Sequence, residues 1–267
     1  MIDTLTRLET ISLEELNQVA ELQKRVDCKY LVHAEEAYEF PNRLPAGSRV
    51  LEIDGETTSA YYSIYFDTPQ WTLYSLAASK RRRRVKVRTR AYLDSGIGFL
   101  EIKTKGTRGM TEKIRIPHPL DRLAELSAAD LDFIRVSLIS QGIDPGIADR
   151  LEPVTATGYD RSTYVVPESP EQHPARVTVD TNIYWDSLVV GGSFHPGAGS
   201  LVECPSLAII ETKTERHSSR INRALWRAGM RQSSISKYCA GTALLNPQLP
   251  SNKWHQSLIA IKSAAQD

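Results

Sequence analysis

The stretch RRRRVKVRTRAY, residues 81–92, determines how the rest of the sequence is interpreted. Seven of its twelve residues are cationic, and from Arg84 onward the cations alternate with other residues, most of them small or apolar. Successive side chains of a β-strand point to opposite faces of the sheet. A strand at this position therefore has a cationic face formed by Arg82, Arg84, Lys86, Arg88 and Arg90. The opposite face carries Val85, Val87, Thr89 and Ala91, and we expect it to be packed.

The chain as a whole does not share this cationic excess. Its 267 residues contain 33 Lys plus Arg and 32 Asp plus Glu, a formal net charge of +1, and the pI is about 7.7. Nucleic-acid-binding domains usually have a basic excess throughout, with a pI above about 9. The local concentration of charge indicates a binding site for an anion and argues against a nucleic-acid partner.

The other residue counts limit the class of protein. Cys28, Cys204 and Cys239 form no C-x-x-C pair, and an odd number of cysteines suits a reducing compartment. No zinc-protease or phosphate-loop motif occurs. The N-terminus lacks a signal-peptide pattern, and no apolar run approaches about 18 residues. We therefore predict a soluble cytoplasmic protein without a transmembrane segment.

Several other segments have the pattern of strands. Alternation or β-branched and aromatic residues predict strands at 24–34, 59–69, 98–105, 110–116, 153–166, 175–185 and 206–215. Helical spacing predicts helices at 12–22, 119–141 and 219–230, with a weak final helix from 253, whereas the structure around Lys237 is left open. Together these elements predict one α+β domain built on an antiparallel sheet or barrel.

The charged strand faces allow two interpretations. A single half-buried antiparallel strand usually turns its polar face to water. Here many strands share the pattern, and the helices are amphipathic as well. If the helices cover the apolar faces from outside, the charged faces line a cavity, as in the interior of a small barrel. Asp27, Arg176 and Lys213 also lie on charged faces by this alternation.

A cavity lined with Lys and Arg must contain water, acidic partners and an anionic ligand, because unpaired charges in a low dielectric cost several kcal/mol each. A polyphosphate chain fits, since it is slender and offers many oxygens to Arg forks and Lys point charges. Acidic residues among the cations would hold a divalent metal ion that bridges phosphate oxygens.

Eight short motifs occur in the order typical of one known family. They are KYLV (29–32), YFDTP (65–69), VRTRAY (87–92), FLEIKTKG with TEKIRI (99–106 and 111–116), GYDR (158–161), RVTVD (176–180), IIETK (209–213) and SISKYCAG (234–241). By these motifs the chain resembles the VTC (vacuolar transporter chaperone) domain, a relative of the CYTH proteins among the triphosphate tunnel metalloenzymes. The resemblance spans roughly residues 22–245.

The resemblance implies an eight-stranded antiparallel β-barrel tunnel with surrounding helices, which binds triphosphate or polyphosphate with Mn²⁺ or Mg²⁺. The catalytic candidates are Arg88, Arg90, Lys103 and Lys113. The substrate-binding candidates that match family positions are Lys29, Arg161 and Lys237, and the strand pattern adds Lys86, Arg176 and Lys213. Glu211 matches the metal-binding Glu, and Asp27 suits a second metal ligand and an ion-pair partner of Lys29 equally well.

Some residues also have ordinary structural explanations. Lys213 could form a cross-strand ion pair with Glu215, and Asp180 could orient Arg176. Asp67 precedes Thr-Pro and is typical of a turn residue. Tyr65 and Tyr92 are typical of packing within the wall of a barrel, and Arg82 to Arg84 of a solvated rim that guides anions by long-range attraction.

The chain departs from the related hydrolases at one strand. They carry E-x-E-x-K, whereas this chain has Arg25, Asp27 and Lys29 at the corresponding positions. With one acid, a pair of carboxylates that activates water is in doubt. This difference favours phosphoryl transfer to a phosphate acceptor over hydrolysis.

These observations predict an N-terminal helical segment (1–21), a tunnel domain (22–245) and a C-terminal tail or helix (246–267). No SPX-like regulatory segment and no membrane helices are expected. The predicted function is a polyphosphate polymerase that transfers the γ-phosphate of ATP to inorganic polyphosphate, with a membrane-protein partner if the product is exported. The alternatives are a triphosphatase or tripolyphosphatase of the same fold, and a non-catalytic polyphosphate-binding module. The oligomeric state is left open.

Overall fold

The computed structural model describes residues 8–19, 26–105, 111–169, 172–190, 193–194 and 200–266. The strands are β1 Glu9–Ile11, β2 Val26–His33, β3 Arg49–Leu51, β4 Thr58–Asp67, β5 Arg84–Tyr92, β6 Ile97–Lys105, β7 Thr111–Pro117, β8 Glu152–Val166, β9 Ala175–Ser187, β10 Val189–Val190, β11 Ser193–Phe194, β12 Leu201–Cys204 and β13 Leu207–Thr214. The α-helices are α1 Leu13–Val19, α2 Ala34–Glu39, α3 Thr72–Ala78, α4 Ala128–Ser140, α5 Arg220–Arg227, α6 Lys237–Leu245 and α7 His255–Ala264.

The strands form a large antiparallel sheet. Eight of them follow one another in the order β2-β13-β9-β8-β4-β5-β6-β7. Three short strands lie outside this order: β12 pairs with β9, β3 pairs with β8, and β1 pairs in parallel with β3. β10 and β11 form a separate two-stranded sheet. The prediction of an α+β domain on an antiparallel sheet is confirmed.

The sheet does not close by hydrogen bonding. No ladder joins β2 to β7 within the described residues, so the predicted closed barrel is not confirmed. Instead, the free edge of β2 is met by the segment that leads into α6. Gln232 forms a β-bridge with Tyr30, and the amide of Ser233 donates a 2.7 Å hydrogen bond to the carbonyl of Lys29.

One face of the sheet is apolar and is covered by helices. Over β2, β9 and β13 lie α2 and α5, whose buried side chains Ala37, Ile221 and Leu225 contact Cys28, Tyr30, Val177 and Ile210. Over β5 and β6 lies α4, where Ile134 and Leu138 pack against Val85, Val87, Leu100 and Ile102. Removing this surface from water stabilises the fold by roughly 25 cal/mol per Å². The opposite face, here called the inner face, carries the charged side chains.

Two helices close one end of the inner face. Tyr238, Cys239 and Ala243 of α6, with Leu258 and Ile261 of α7, pack on Tyr65, Tyr159, Trp185 and Ile209. The indole of Trp185 donates a 2.9 Å hydrogen bond to the carbonyl of Lys237. This contact holds the first turn of α6 against the charged part of the sheet. None of the helices in the described part of the chain combines the length and apolarity needed to cross a bilayer.

Several predicted boundaries differ from those observed. β5 begins at Arg84, so Arg82 and Arg83 precede the strand, and Arg83 donates to the carbonyl of Gly142 at 3.0 Å. The predicted helix at 119–141 is a 3-10 turn followed by α4. Ser127 begins α4 as its N-cap, in a capping box with Asp130. Arg25, predicted on the charged face of β2, lies outside the described residues.

Candidate functional site

The inner face is curved, because one short segment contacts strands that are far apart in the sheet order: Ser233 bonds to Lys29 of β2, and Ser236 bonds to Lys86 of β5. Lys103 on β6 is influenced by Glu211 on β13 and by Lys29 and Asp27 on β2. These strands lie near opposite ends of the sheet order. The Lys103 side chain is exposed to solvent. Partial desolvation by the surrounding protein nevertheless lowers its pKa to about 8; Lys29 and Lys86 contribute to this shift by repulsion, and the attraction of Glu211 opposes it. The two margins of the sheet therefore face each other.

Glu101 is the centre of the first charged cluster. Its side chain is 1% exposed. It accepts hydrogen bonds from Arg88 Nε at 2.8 Å and from Lys113 Nζ at 3.0 Å, with Arg90 Nε at 4.0 Å. Burial opposes ionisation, but the attraction of Arg88, Arg90 and Lys113 outweighs it and holds the Glu101 pKa below its usual range. The three cations are thereby fixed around one buried carboxylate.

Tyr65, which the sequence predicts to pack within the wall, also supports this cluster. The hydroxyl of Tyr65 accepts a 2.9 Å hydrogen bond from Arg88 Nη1. Its ring stacks on that of Tyr238 with centroids 4.9 Å apart. Tyr238 in turn donates to the fully buried carboxylate of Asp67 at 2.5 Å. Tyr65 therefore helps to set the position of the Arg88 guanidinium, and this role follows from the register of β4 with β5, which alternation within either strand does not reveal.

Asp67 has the structural role that its position before Thr-Pro predicted. Its carboxylate accepts hydrogen bonds from the backbone amides of Thr68, Leu73 and Tyr74 at 2.7 to 2.8 Å. These bonds satisfy amides at the start of α3. Burial raises the Asp67 pKa, and the four hydrogen bonds oppose that rise. Asp67 therefore joins β4, α3 and α6 and does not face the charged cavity.

Asp180 is the centre of the second cluster. Arg161 binds it through two nitrogens at 2.6 and 2.8 Å, and Lys237 contacts it from the start of α6. Asp180 thus holds Arg161 and Lys237, and the sequence did not reveal that α6 brings Lys237 to this point. Lys237 Nζ also lies 3.9 Å from the centroid of the Tyr159 ring. Burial lowers the Lys237 pKa to about 7, and the attraction of Asp180 opposes that shift.

Glu211 is the centre of the third cluster. Lys29 Nζ lies 2.9 Å and Lys213 Nζ 4.0 Å from its carboxylate. Burial raises the pKa of Glu211, but the attraction of Lys213, Lys29 and Arg161 outweighs it, and the pKa lies well below its usual range. Burial lowers the Lys213 pKa to about 8 although Glu211 opposes that shift. The predicted pairing of Lys213 with Glu215 is replaced by this contact.

The remaining predicted site residues lie around these clusters. Lys86 Nζ donates to Ser236 Oγ at 2.6 Å, and Ser236 is the N-cap of α6. Lys213 is in register with Asp27 on one side and with Arg176 on the other. A cavity of about 420 Å³ opens beside them and is lined by Asp27, Lys29, Gln232, Ser233, Ser234 and Ile235. The structure thus brings all the predicted site residues to one face.

The acidic residues fit a metal ion that arrives with a phosphate ligand. No group of three His, Cys, Asp or Glu side chains capable of holding a metal occurs in the described ranges. Glu101 and Asp180 are each held by two or more cations, and their side chains are only 1% exposed. Glu211 also lies beside two lysines, but its side chain is 11% exposed and therefore more accessible to a ligand, so Glu211 and Asp27 are the carboxylates best placed to hold a metal. Mg²⁺ is commonly bound by one or two carboxylates together with substrate phosphates, so these two residues suffice for that mode.

We expect the stability of the protein to rise with pH between about 7 and 9. The pKa values of Lys237 and Lys213, about 7 and 8, lie below the usual 10.5. In this window the unfolded chain keeps both lysines protonated while the folded chain releases protons, so the unfolding free energy increases by up to about 1.4 kcal/mol per pH unit for each proton. Urea unfolding at several pH values measures this slope. Lys213→Met should make the slope shallower, and a stability that falls across the window would contradict the prediction.

HpAC1 from Hippeastrum, described as having a dominant triphosphatase activity, is 15% identical with a TM-score of 0.46; the match covers 82% of this chain and 95% of that one. The PH1819 protein from Pyrococcus horikoshii OT3 is 13% identical with a TM-score of 0.40, covering 80% and 96%. No curated protein matches the sequence. The family model described as the VTC domain matches residues 24–246.

Proposed function

This chain belongs to the VTC domain family, and we propose that it is a metal-dependent phosphotransferase that extends inorganic polyphosphate with the γ-phosphate of ATP. One observation carries the proposal. Seven cations from five strands and one helix converge on three buried carboxylates of the inner face, and Lys86, Lys103 and Arg176 add further positive charge. A slender polyanion with many oxygens is the ligand that such a face is suited to bind.

Phosphoryl transfer requires alignment and charge stabilisation more than covalent chemistry from the protein. Arg88, Arg90 and Lys113, held in place by Glu101, would bind the phosphate that is transferred and its neighbours. Lys29, Arg161 and Lys237 would hold the rest of the phosphate chain. A divalent metal, Mn²⁺ or Mg²⁺, held by Glu211 and Asp27 together with phosphate oxygens, supplies additional charge neutralisation when bound.

The carboxylates of the inner face favour transfer to phosphate over attack by water. The pKa values of Glu101, Asp180 and Glu211 all lie below the usual range, so these groups are weak bases. Hydrolysis gains from a general base that takes a proton from water. A terminal phosphate of a growing chain is already ionised and needs no such base. The site is therefore better matched to a phosphate acceptor.

One observation supports the alternative, a triphosphatase. Lys103 and Lys213 have pKa values of about 8, so part of each population is a neutral amine near physiological pH. A neutral amine accepts a proton from an attacking water. A non-catalytic polyphosphate-binding module is the third possibility, because the charged clusters alone are sufficient for binding.

An incubation with substrates and a binding titration with tripolyphosphate together separate these functions. We expect the purified protein with ATP, Mn²⁺ and a short polyphosphate primer to produce long polyphosphate and one ADP per phosphate added. Gel electrophoresis of the polymer and chromatography of the nucleotide measure both products. Orthophosphate without chain growth would indicate the triphosphatase instead. Tight binding of tripolyphosphate without turnover would indicate a binding module, and an absence of binding would refute the proposal as a whole.

A further inference from the structure

Two buried hydroxyls of the inner face, those of Thr157 and Thr178, have no hydrogen-bond partner within the described residues, and Thr178 is the one that lies beside Glu211. Thr178 on β9 is 1% exposed, and within the part of the chain that the structure describes its Oγ1 has no hydrogen-bond partner. A buried donor without a partner is destabilising, because it loses its hydrogen bonds to water and gains none in return. Valine has nearly the same shape and would avoid this loss. The hydroxyl therefore requires an explanation outside the packing of the sheet.

The position of Thr178 indicates what that explanation is. Its neighbour on β13 is Glu211, and its neighbour on β8 is Thr163. Lys29 lies next to Glu211 on the far side, so Lys29, Glu211 and Thr178 follow one another across the inner face. Lys213, two residues from Glu211 on the same strand face, completes the surroundings. The hydroxyl thus lies beside the cluster of Glu211, Lys29 and Lys213.

We propose that the Thr178 hydroxyl is a ligand-binding group that donates a hydrogen bond to a phosphate oxygen of a linear phosphate chain. This inference rests on the proposed function, because it assumes that the inner face binds such a chain. Lys29 and Lys213 attract phosphate to this point, and their flexible side chains re-pair readily from Glu211 to the ligand. A neutral donor beside Glu211 adds a hydrogen bond without adding another charge.

Three variants test the proposal with tripolyphosphate as the probe. Thr178→Val removes the hydroxyl and keeps the shape, and Thr178→Ser keeps the hydroxyl. Thr212→Val is a matched control, because Thr212 is equally buried on neighbouring β13 but its hydroxyl donates to Asn222 Oδ1 at 2.6 Å on the other face of the sheet. Titration calorimetry measures affinity with and without Mn²⁺, and thermal unfolding measures stability.

The two valine variants are expected to differ: Thr178→Val should lose affinity but not stability, and Thr212→Val should lose stability but not affinity. Thr178→Val should weaken tripolyphosphate binding about tenfold, as for one lost hydrogen bond, while its Tm equals or exceeds that of the wild type. Thr178→Ser should bind within about twofold of the wild type. Thr212→Val should lose thermal stability and keep its affinity.

Two kinds of result would contradict the role of the Thr178 hydroxyl, and a third would contradict the proposed function. Wild-type affinity in Thr178→Val would overturn the role of the hydroxyl, and so would a loss of Tm in that variant as large as that of Thr212→Val. If the wild-type protein itself does not bind tripolyphosphate, it is the proposed function that fails.

Discussion

Replacing Arg88 by alanine is expected to lower phosphoryl transfer by at least about 10³-fold, the effect of removing an arginine that stabilises charge on the transferred phosphate. The reason lies in its contacts, since Arg88 is anchored by Glu101 and Tyr65 and its side chain is 19% exposed, which leaves part of it available to a ligand. Removing one partner of a buried ion pair also lowers the free energy of unfolding, here by about 3 kcal/mol, the low end of the usual range because Arg90 and Lys113 remain.

A second variant tests the same cluster from the side of the carboxylate. Arg88→Ala combined with Glu101→Gln also takes the carboxylate away from Arg90 and Lys113. We expect the turnover of the double variant to stay as low as that of Arg88→Ala, and its unfolding free energy in urea titrations to be no higher. Turnover of the single variant within tenfold of the wild type would show that Arg88 is not part of the reacting site.

Glu211→Gln is expected to have opposite effects on binding and on turnover. In metal-free buffer the wild-type carboxylate competes with phosphate for Lys29 and Lys213. Neutral glutamine ends this competition, so tripolyphosphate should bind about five- to tenfold more tightly. With ATP and Mn²⁺, however, turnover should fall by about 10²-fold or more, because a metal ligand that contributes to transition-state charge stabilisation is lost.

The control for this experiment is Glu203→Gln. Glu203 is exposed on β12, and its replacement changes the net charge by the same amount. It should change neither the affinity for tripolyphosphate nor the turnover. A Glu211→Gln variant that binds metal-free tripolyphosphate no better than the wild type would show that Glu211 does not compete for the lysines. Unchanged turnover would remove Glu211 from the metal site.

The strand faces could be predicted from the sequence because alternation is a local property. The spacing of Lys86, Arg88 and Arg90 alone places them on one face, opposite the buried Val85 and Val87. The pairing of charges was less predictable. Asp180 contacts Lys237, which lies 57 residues further along the chain. Such a contact depends on where α6 begins, and no local pattern encodes that position.

Closure of the sheet could not be predicted from the strands alone either. Eight strands were expected and eight follow one another in the main order, but whether the first and last pair depends on tilt and stagger accumulated over all of them. The role of Tyr65 was missed for a related reason. Its aromatic ring is typical of packing, and only the position of Arg88 on the neighbouring strand shows that its hydroxyl has a polar partner.

The carboxylates inside the clusters also determine the energetics of ligand binding. Glu101, Asp180 and Glu211 already neutralise cations around them, so under the proposed function an incoming phosphate would exchange places with a built-in counter-ion. Each exchange replaces one ion pair by another and returns little net free energy, which leaves a lone orthophosphate with almost no advantage. A chain that makes several exchanges at once adds these small gains while losing its translational freedom only once. Discrimination by polymer length then needs no separate part of the protein that measures the chain.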